Sequence, residues 1–168
     1  NLLKEGFDKN RICVTGNTVI DSFKYTLQSK IIPKKTIDLS GKFILLTMHR
    51  RENLGQPMVQ VFKAIKHVIS NMDIKVIFPM HKNPAIQKIA SDIFDNQDKF
   101  KLIDDLDVLT FHHLMHKAYL IITDSGGIQE EATFLGIPTF VVRNVTERNE
   151  SLETGNIKML GTDYNEVL

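Results

Sequence analysis

Residues 125–131 carry groups whose types and spacing could bind a phosphate and a sugar. Ser125 is followed by Gly126 and Gly127, and Glu131 stands about one helical turn later. Glycines let backbone N–H groups approach a ligand closely, and the start of a helix adds unpaired donors and a positive dipole end. Glu131 has a suitable position to accept hydrogen bonds from two neighbouring ribose hydroxyls. Phosphate and ribose together predict a nucleotide site.

A structural interpretation of the same residues stays open. Short glycine motifs are weak evidence by themselves. Ser-Gly-Gly is also typical of a turn between a strand and a helix, where glycine eases the change of direction. The nearby carboxylates would then be ordinary surface residues without a ligand. Asp124 would repel a phosphate, so we expect its side chain to cap the turn or to point away.

Histidines and arginines follow other apolar runs of the chain. His49, Arg50 and Arg51 follow the first convincing strand, His81 follows the second, and Arg143 and Arg148 follow the fifth. Arginines stabilise a diphosphate by charge-assisted hydrogen bonds, and a histidine could donate a proton to a departing phosphate. Each residue alone could be a capping or surface residue. Their recurrence at several strand ends favours one shared site.

The segment 106–117 offers two other kinds of chemistry. Phe111 could stack on a base, although an aromatic residue at this spacing is also typical of a core. His112, His113 and His116 have helical spacings that would suit a metal ion. However, no acidic residue stands at a matching position and a lysine lies beside them. We therefore predict no metal site.

The candidate residues need a scaffold that brings strand ends together. Apolar runs alternate with helix-spaced segments and short turns, which predicts an α/β fold with a Rossmann-like, doubly wound parallel sheet. In such sheets, ligands bind outside the carboxyl ends of the strands, near the point where the strand order reverses. The predicted strands are residues 42–48, 75–80, 100–103, 119–123 and 139–142, and the predicted helices are residues 57–72, a segment opened by Pro84, 108–117 and 127–135.

The ends of the chain are less regular. Thr18 is predicted to cap a helix whose apolar face includes Phe23 and Leu27, and a linker is expected from Pro33 to Gly41. The residues after Thr162 are predicted to begin a helix that is cut short.

The composition limits the class of protein. The chain has 168 residues, of which 42% are hydrophobic and 24% charged, with a net charge of +1. These values predict one globular domain with a sizeable core and no surface for nucleic acid or membrane, so the expected partner is a small molecule. The single cysteine, Cys13, excludes an internal disulfide, fits a reducing cytoplasm and is expected to pack in the core.

Seven sequence blocks resemble the carboxyl-terminal domain of bacterial and archaeal non-hydrolysing UDP-N-acetylglucosamine 2-epimerases. They occur in order over essentially the whole chain, which makes the match far more specific than any single block. The hydrolysing relatives usually carry a serine-rich version of the Asp-Ser-Gly-Gly segment, so this segment favours the non-hydrolysing branch. The blocks are VTGNTVID (14–21), HRREN (49–53), FPMHKNP (78–84), TDSGGIQEEA (123–132), LGIP (135–138), RNVTERNE (143–150) and LGTD (160–163).

The resemblance implies a two-domain, glycosyltransferase-B-like fold that binds the nucleotide sugar between two Rossmann-like halves. It implies an isomerase that interconverts UDP-N-acetylglucosamine and UDP-N-acetylmannosamine without a cofactor. In that family UDP leaves by anti elimination, giving 2-acetamidoglucal, and returns by syn addition. The family also implies a cytoplasmic homodimer that serves cell-surface polysaccharide biosynthesis.

Site residues are matched by motif to positions of this sequence. His49 matches the family histidine beside the sugar and the diphosphate, and we assign it to catalysis or leaving-group stabilisation. Arg50 or Arg51 and His81 are candidates for an allosteric site that binds a second UDP-N-acetylglucosamine in some bacterial members. The UDP-binding residues implied are Phe111 near uracil, Ser125, Gly126 and Gly127 at the diphosphate, Glu131 at the ribose and Arg148 in the cleft.

The sequence also departs from the family pattern. Asn144 stands where aspartate is common and Asn149 where proline is usual, so we expect the loop that carries Arg148 to follow a different path. Thr110 replaces a frequent proline before Phe111. The family's Gly-Thr-Arg-Pro-Glu block and proton-transfer acids are absent. We therefore expect a fragment: residues 1–17 end an amino-terminal domain and cross over, and residues 18–168 form the truncated UDP-binding domain, inactive alone.

Two rival functions are compatible with the same residues. A glycosyltransferase of the same fold would share the nucleotide-binding half, although the HRRE block beside TDSGGIQEE speaks against it. A non-catalytic nucleotide-sugar-binding module would tolerate the missing acids. The sequence of the gene would distinguish the enzyme from the binding module. A reading frame that extends upstream through the missing block favours the enzyme, and a start codon directly before Asn1 favours the module.

Overall fold

A computed structural model describes residues 2–29, 37–95, 97–145 and 155–168. Within these ranges, strands and helices alternate as predicted. The strands are β1 (Phe43–Thr47), β2 (Lys75–Pro79), β3 (Phe100–Ile103), β4 (Leu120–Thr123), β5 (Thr139–Val142) and β6 (Ile157–Leu160). The α-helices are α1 (Val19–Gln28), α2 (Gln56–Ser70), α3 (Pro84–Phe94), α4 (Val108–Lys117), α5 (Gly126–Leu135) and α6 (Tyr164–Val167), and short 3-10 helices span Lys9–Arg11 and Arg51–Asn53.

The strands described form one parallel sheet in the order β3-β2-β1-β4-β5-β6. The chain runs outward from β1 to β3 and then returns to place β4 on the other side of β1. This order confirms the predicted doubly wound α/β fold. The reversal lies between β1 and β4, so the carboxyl ends of these two strands border the crevice where such sheets bind ligands.

Both faces of the central strands are covered, which explains their continuous apolar sequence. All five residues of β1 are buried. Leu46 packs in a cluster with residues of α2 and α3, and Leu45 packs in a second cluster with residues of α1, α4 and α5. Ile122 and Ile121 of β4 belong to the same two clusters, so both strands are packed on both faces up to the residues that follow them.

Most element boundaries agree with the sequence prediction to within one or two residues. The strand Ile157–Leu160 was not predicted. It pairs with β5 along its whole length, from Thr139 opposite Ile157 to Val142 opposite Leu160. Its sequence, Ile-Lys-Met-Leu, has no strong strand period, so pairing with an existing sheet edge decides its conformation. The helix expected after Thr162 is present as α6, with Asp163 accepting a hydrogen bond from the N–H of Asn165.

Two predictions about the first residues were wrong. Cys13 is exposed and its neighbour Val14 is 94% exposed, so the described elements leave this short apolar run uncovered. Thr18 makes no capping hydrogen bond with its side chain. Instead, Asn17 accepts one from the N–H of Val19, because Thr18 already has a helical backbone conformation and its predecessor takes the capping position.

The predicted linker lies partly outside the described residues, which resume at residue 37. The division into residues 1–17 and 18–168 stays a prediction. The helices in the described ranges all fall short of the length and apolar character that a membrane-spanning helix needs.

Candidate functional site

The last residues of β1 and β4 join the two strands that border the crevice. Thr47 and Thr123 are paired in the register of the sheet, both are buried, and their hydroxyl oxygens lie 2.7 Å apart. The Thr123 hydroxyl oxygen also accepts a hydrogen bond of 3.0 Å from the N–H of Ser125. These bonds fix the point at which the turn leaves the sheet.

Asp124 organises the loop after β1. Its side chain is fully buried. The carboxylate accepts hydrogen bonds from the N–H groups of His49 and Arg50, at 3.1 and 2.9 Å, and from the Asn53 amide at 3.0 Å. Asn53 donates in addition to the carbonyl of Val142 at the end of β5. The charge of Asp124 is thus satisfied by the β1 loop, in line with the expectation that it points away from the glycine turn.

The glycine turn forms the first turn of α5. Ser125 is the N-cap residue, and its side chain makes no capping hydrogen bond. A Cβ added at Gly127 would meet no atom within 4 Å, and one added at Gly126 would meet only Arg50 Nη2, at 3.6 Å. Neither glycine has a positive φ. The fold therefore has space for a Cβ at both positions, and the backbone conformation requires glycine at neither.

A cluster of charged side chains lies beside the turn. Glu52 Oε1 is 3.5 Å from Arg50 Nη1 and 3.6 Å from Arg143 Nη2, so one carboxylate joins the loops after β1 and β5. Arg50 and Arg143 are only partly exposed, whereas Arg51 is exposed. Arg143 was expected at this edge because it directly follows β5, but its position along the chain did not predict its contact with Glu52.

A second part of the crevice contains His49, His81 and Phe111. The imidazole rings of His49 and His81 are stacked, with centroids 5.8 Å apart and planes 13° from parallel. These residues and Phe111 line a pocket of about 200 Å³ that also reaches Ile128 of α5. His49 Nδ1 lies 3.8 Å from Asp124 Oδ1. The fold therefore brings the predicted catalytic histidine, one predicted allosteric residue and the predicted uracil contact to one pocket.

Glu131 is a buried carboxyl group on α5, with 9% of the residue exposed. Burial, with a smaller contribution from the charge of Glu130, raises the pKa of Glu131 to about 7. His112 Nε2 lies 3.8 Å from Glu131 Oε1. Burial, and then the neighbouring His113, lower the pKa of His112. The two shifts favour the neutral forms of both groups over an ion pair.

The buried carboxyl group makes stability depend on pH. Because folding raises the pKa of Glu131 from 4.5 to about 7, its contribution is fully present below pH 4.5 and is lost as the pH rises through 7. We expect the stability of the wild type relative to Glu131→Gln, which cannot ionise, to fall by up to about 3 kcal/mol over this range. Urea unfolding of both proteins at pH 5 and pH 8 measures this, and an equal difference at the two pH values would contradict it.

The three histidines of α4 do not converge. His112 is buried against α1 and α5, whereas His116 is exposed. Within the described ranges, no group of three or more His, Cys, Asp or Glu side chains has an arrangement that could hold a metal ion. Arg148, predicted to contact UDP, lies outside the described residues, as does Asn149.

Comparison with known proteins points to one family. A family model described as UDP-N-acetylglucosamine 2-epimerase matches residues 1–168. The UDP-N-acetylglucosamine 2-epimerase of Bacillus subtilis (strain 168) is 44% identical over 170 residues, which cover 99% of this chain and 44% of that protein.

Solved structures agree with this match. A structure described as S. aureus MnaA with UDP has a TM-score of 0.88 and 44% identity, covering 99% of this chain and 45% of that one. UDP-GlcNAc 2-epimerase from Neisseria meningitidis, bound to UDP-GlcNAc, has a TM-score of 0.90 and 34% identity, covering 99% and 47%. The chain thus spans less than half the length of these three proteins.

Proposed function

Because the chain belongs to the UDP-N-acetylglucosamine 2-epimerase family, we propose that it forms the UDP-binding half of a non-hydrolysing epimerase. The complete enzyme would interconvert UDP-N-acetylglucosamine and UDP-N-acetylmannosamine. The similar S. aureus and N. meningitidis proteins are described as bound to UDP and UDP-GlcNAc, which supports this class of ligand.

The observation that carries the proposal is the pair of glycines at the start of α5. The fold needs neither of them, since both have ordinary φ values and space for a Cβ. A backbone that is open on this side can bring its N–H groups against a phosphate. Arg50 Nη2 beside Gly126 adds positive charge at the same place. We assign the diphosphate of UDP to this turn.

The remaining site residues surround this position. Ser125 contributes a hydroxyl, Glu131 accepts hydrogen bonds from the ribose, and Phe111 contacts uracil from the pocket that it shares with His49 and His81. Arg148 completes the assignment by sequence match. Arg50, Arg51 and His81 stay candidates for binding a second nucleotide sugar.

The chemistry explains why UDP must be held tightly. In the elimination, the C2–H electrons form the C1–C2 double bond while the C1–O electrons leave with the diphosphate. The C2 proton is not next to a carbonyl, so the reaction depends on stabilising the departing charge, and each tenfold in rate requires about 1.4 kcal/mol. Here that charge would meet the start of α5, Arg50 and His49, which we assign to leaving-group stabilisation. The groups that move the C2 proton are assigned to the half outside this chain.

The proposal includes the setting of the enzyme. We place it in the cytoplasm as a homodimer that requires no cofactor and supplies cell-surface polysaccharide biosynthesis. A glycosyltransferase of the same fold is less well supported, since the family match covers the whole chain.

Calorimetric titration of UDP into the chain at low salt tests the proposed site. We expect saturable binding, weakened at least about tenfold by Ser125→Ala, Glu131→Ala and Gly127→Ala. The last variant is the sharpest, because alanine favours a helix over glycine by about 0.5–1 kcal/mol. Gly127→Ala should therefore fold at least as stably as the wild type while losing affinity.

Ser22→Ala, an exposed change on α1, is the matched control and should bind as the wild type does. The same titrations on the product of the whole reading frame show how much affinity the other half supplies. Absence of binding in both proteins, or binding that none of the three variants weakens, would contradict the assignment.

A further inference from the structure

His112 connects α1 to the proposed ribose carboxyl group on α5. Its Nδ1 lies 2.6 Å from Thr26 Oγ1, and its Nε2 lies 3.8 Å from Glu131 Oε1. The Phe23 ring packs against the imidazole, with centroids 4.3 Å apart. Only 7% of the residue is exposed. Its ring has Phe23 against one face, Thr26 next to Nδ1 and Glu131 next to Nε2.

The hydrogen bonds of Thr26 determine which nitrogen of His112 carries the proton. The Thr26 hydroxyl donates to the carbonyl of Phe23 at 2.8 Å, and a carbonyl can only accept. With that hydrogen donated to the carbonyl, we assign the proton of neutral His112 to Nδ1, from which the Thr26 hydroxyl oxygen accepts. Neutral His112 then has an unprotonated Nε2, and this lone pair faces Glu131.

This arrangement couples the orientation of Glu131 to the ring. At 3.8 Å the two groups interact electrostatically and not through a hydrogen bond. Two unprotonated groups would repel each other, whereas one proton on either group makes the contact attractive. Because the pKa of Glu131 is raised to about 7, its carboxyl group carries that proton in a large share of the molecules near neutral pH. This attraction keeps the nearer carboxyl oxygen on the side of His112, so the other oxygen can accept hydrogen bonds from a ribose.

We propose that His112 is a positioning residue that orients Glu131 for the two ribose hydroxyls of a nucleoside diphosphate. This inference rests on the proposed function, which assigns the ribose to Glu131. His112 is one of the histidines whose spacing would also suit a metal ion. The inference gives it a role in recognising ribose instead.

The test compares binding of UDP with binding of 2′-deoxy-UDP, measured by calorimetry on this chain and on the product of the whole reading frame. We expect the wild type to prefer UDP at least about tenfold. His112→Asn keeps a donor near Thr26 and removes Nε2. It should weaken UDP binding, leave 2′-deoxy-UDP binding unchanged and reduce the preference at least about fivefold.

Two further variants separate positioning from folding. His112→Gln restores a polar group near Glu131 and should recover part of the preference, whereas His116→Asn, an exposed change on the same helix, should leave it intact. If His112→Asn does not fold, Thr26→Val, which removes the acceptor of Nδ1–H, should reduce the preference instead.

The outcomes distinguish this inference from the proposed function. If the wild type binds neither nucleotide, the proposed function fails and this inference with it. If the wild type prefers UDP, and Glu131→Ala abolishes the preference while folded His112→Asn and Thr26→Val retain it, only the role of His112 is overturned. Equal binding of UDP and 2′-deoxy-UDP by the wild type would also overturn it.

Discussion

Asp124→Ala is expected to lower the free energy of unfolding by about 3–5 kcal/mol and to abolish UDP binding. The carboxylate is fully buried and accepts from the N–H groups of His49 and Arg50 and from the Asn53 amide. Each buried donor left without an acceptor costs about 1–3 kcal/mol. Losing all three bonds releases the loop after β1, and with it the histidine and the arginine that border the glycine turn.

Urea unfolding followed by circular dichroism measures this effect, and UDP titration is repeated in the same buffer. Asp163→Ala is the matched control, because Asp163 is an exposed N-cap of α6 and its loss should cost only about 1 kcal/mol. Asp124→Asn, which keeps the size but replaces one acceptor by a donor, should fall between the wild type and Asp124→Ala. A stability of Asp124→Ala within about 1 kcal/mol of the wild type would show that the loop does not depend on this carboxylate.

His49→Ala is expected to reduce the rate of epimerisation by about 10²–10⁴-fold, the range for a group that assists proton transfer or charge development. The change should leave the fold intact, since the His49 side chain is 42% exposed and the loop is held through its backbone N–H. We expect UDP affinity to change by less than about threefold, because the diphosphate is bound mainly at the start of α5.

The measurement is epimerisation in both directions by the product of the whole reading frame, together with UDP titration. His116→Ala, an exposed histidine on α4, serves as the control and should retain the wild-type rate. A His49→Ala enzyme that loses affinity and rate in equal proportion would instead assign His49 to ground-state binding of UDP.

The alternation of strands and helices was predictable because each element has its own spacing of apolar residues along the chain. The strands Phe100–Ile103 and Thr139–Val142 and the helix Val108–Lys117 were predicted with the observed bounds. The exposed Cys13 and the strand Ile157–Leu160 were not foreseen. For both, the short apolar pattern was compatible with either state, and the presence or absence of a packing partner made the decision.

The amino-acid sequence by itself determined the α/β class, the glycine turn before a helix and the set of residues that end each strand, because spacing along the chain encodes these features. Only the tertiary structure decided which polar groups meet. Asp124 bonds to Asn53, 71 positions away, and His112 to Thr26, 86 positions away. It also showed that neither Gly126 nor Gly127 is required by the backbone. Such contacts depend on the packing of whole layers against the sheet, and no local pattern of residue types records them.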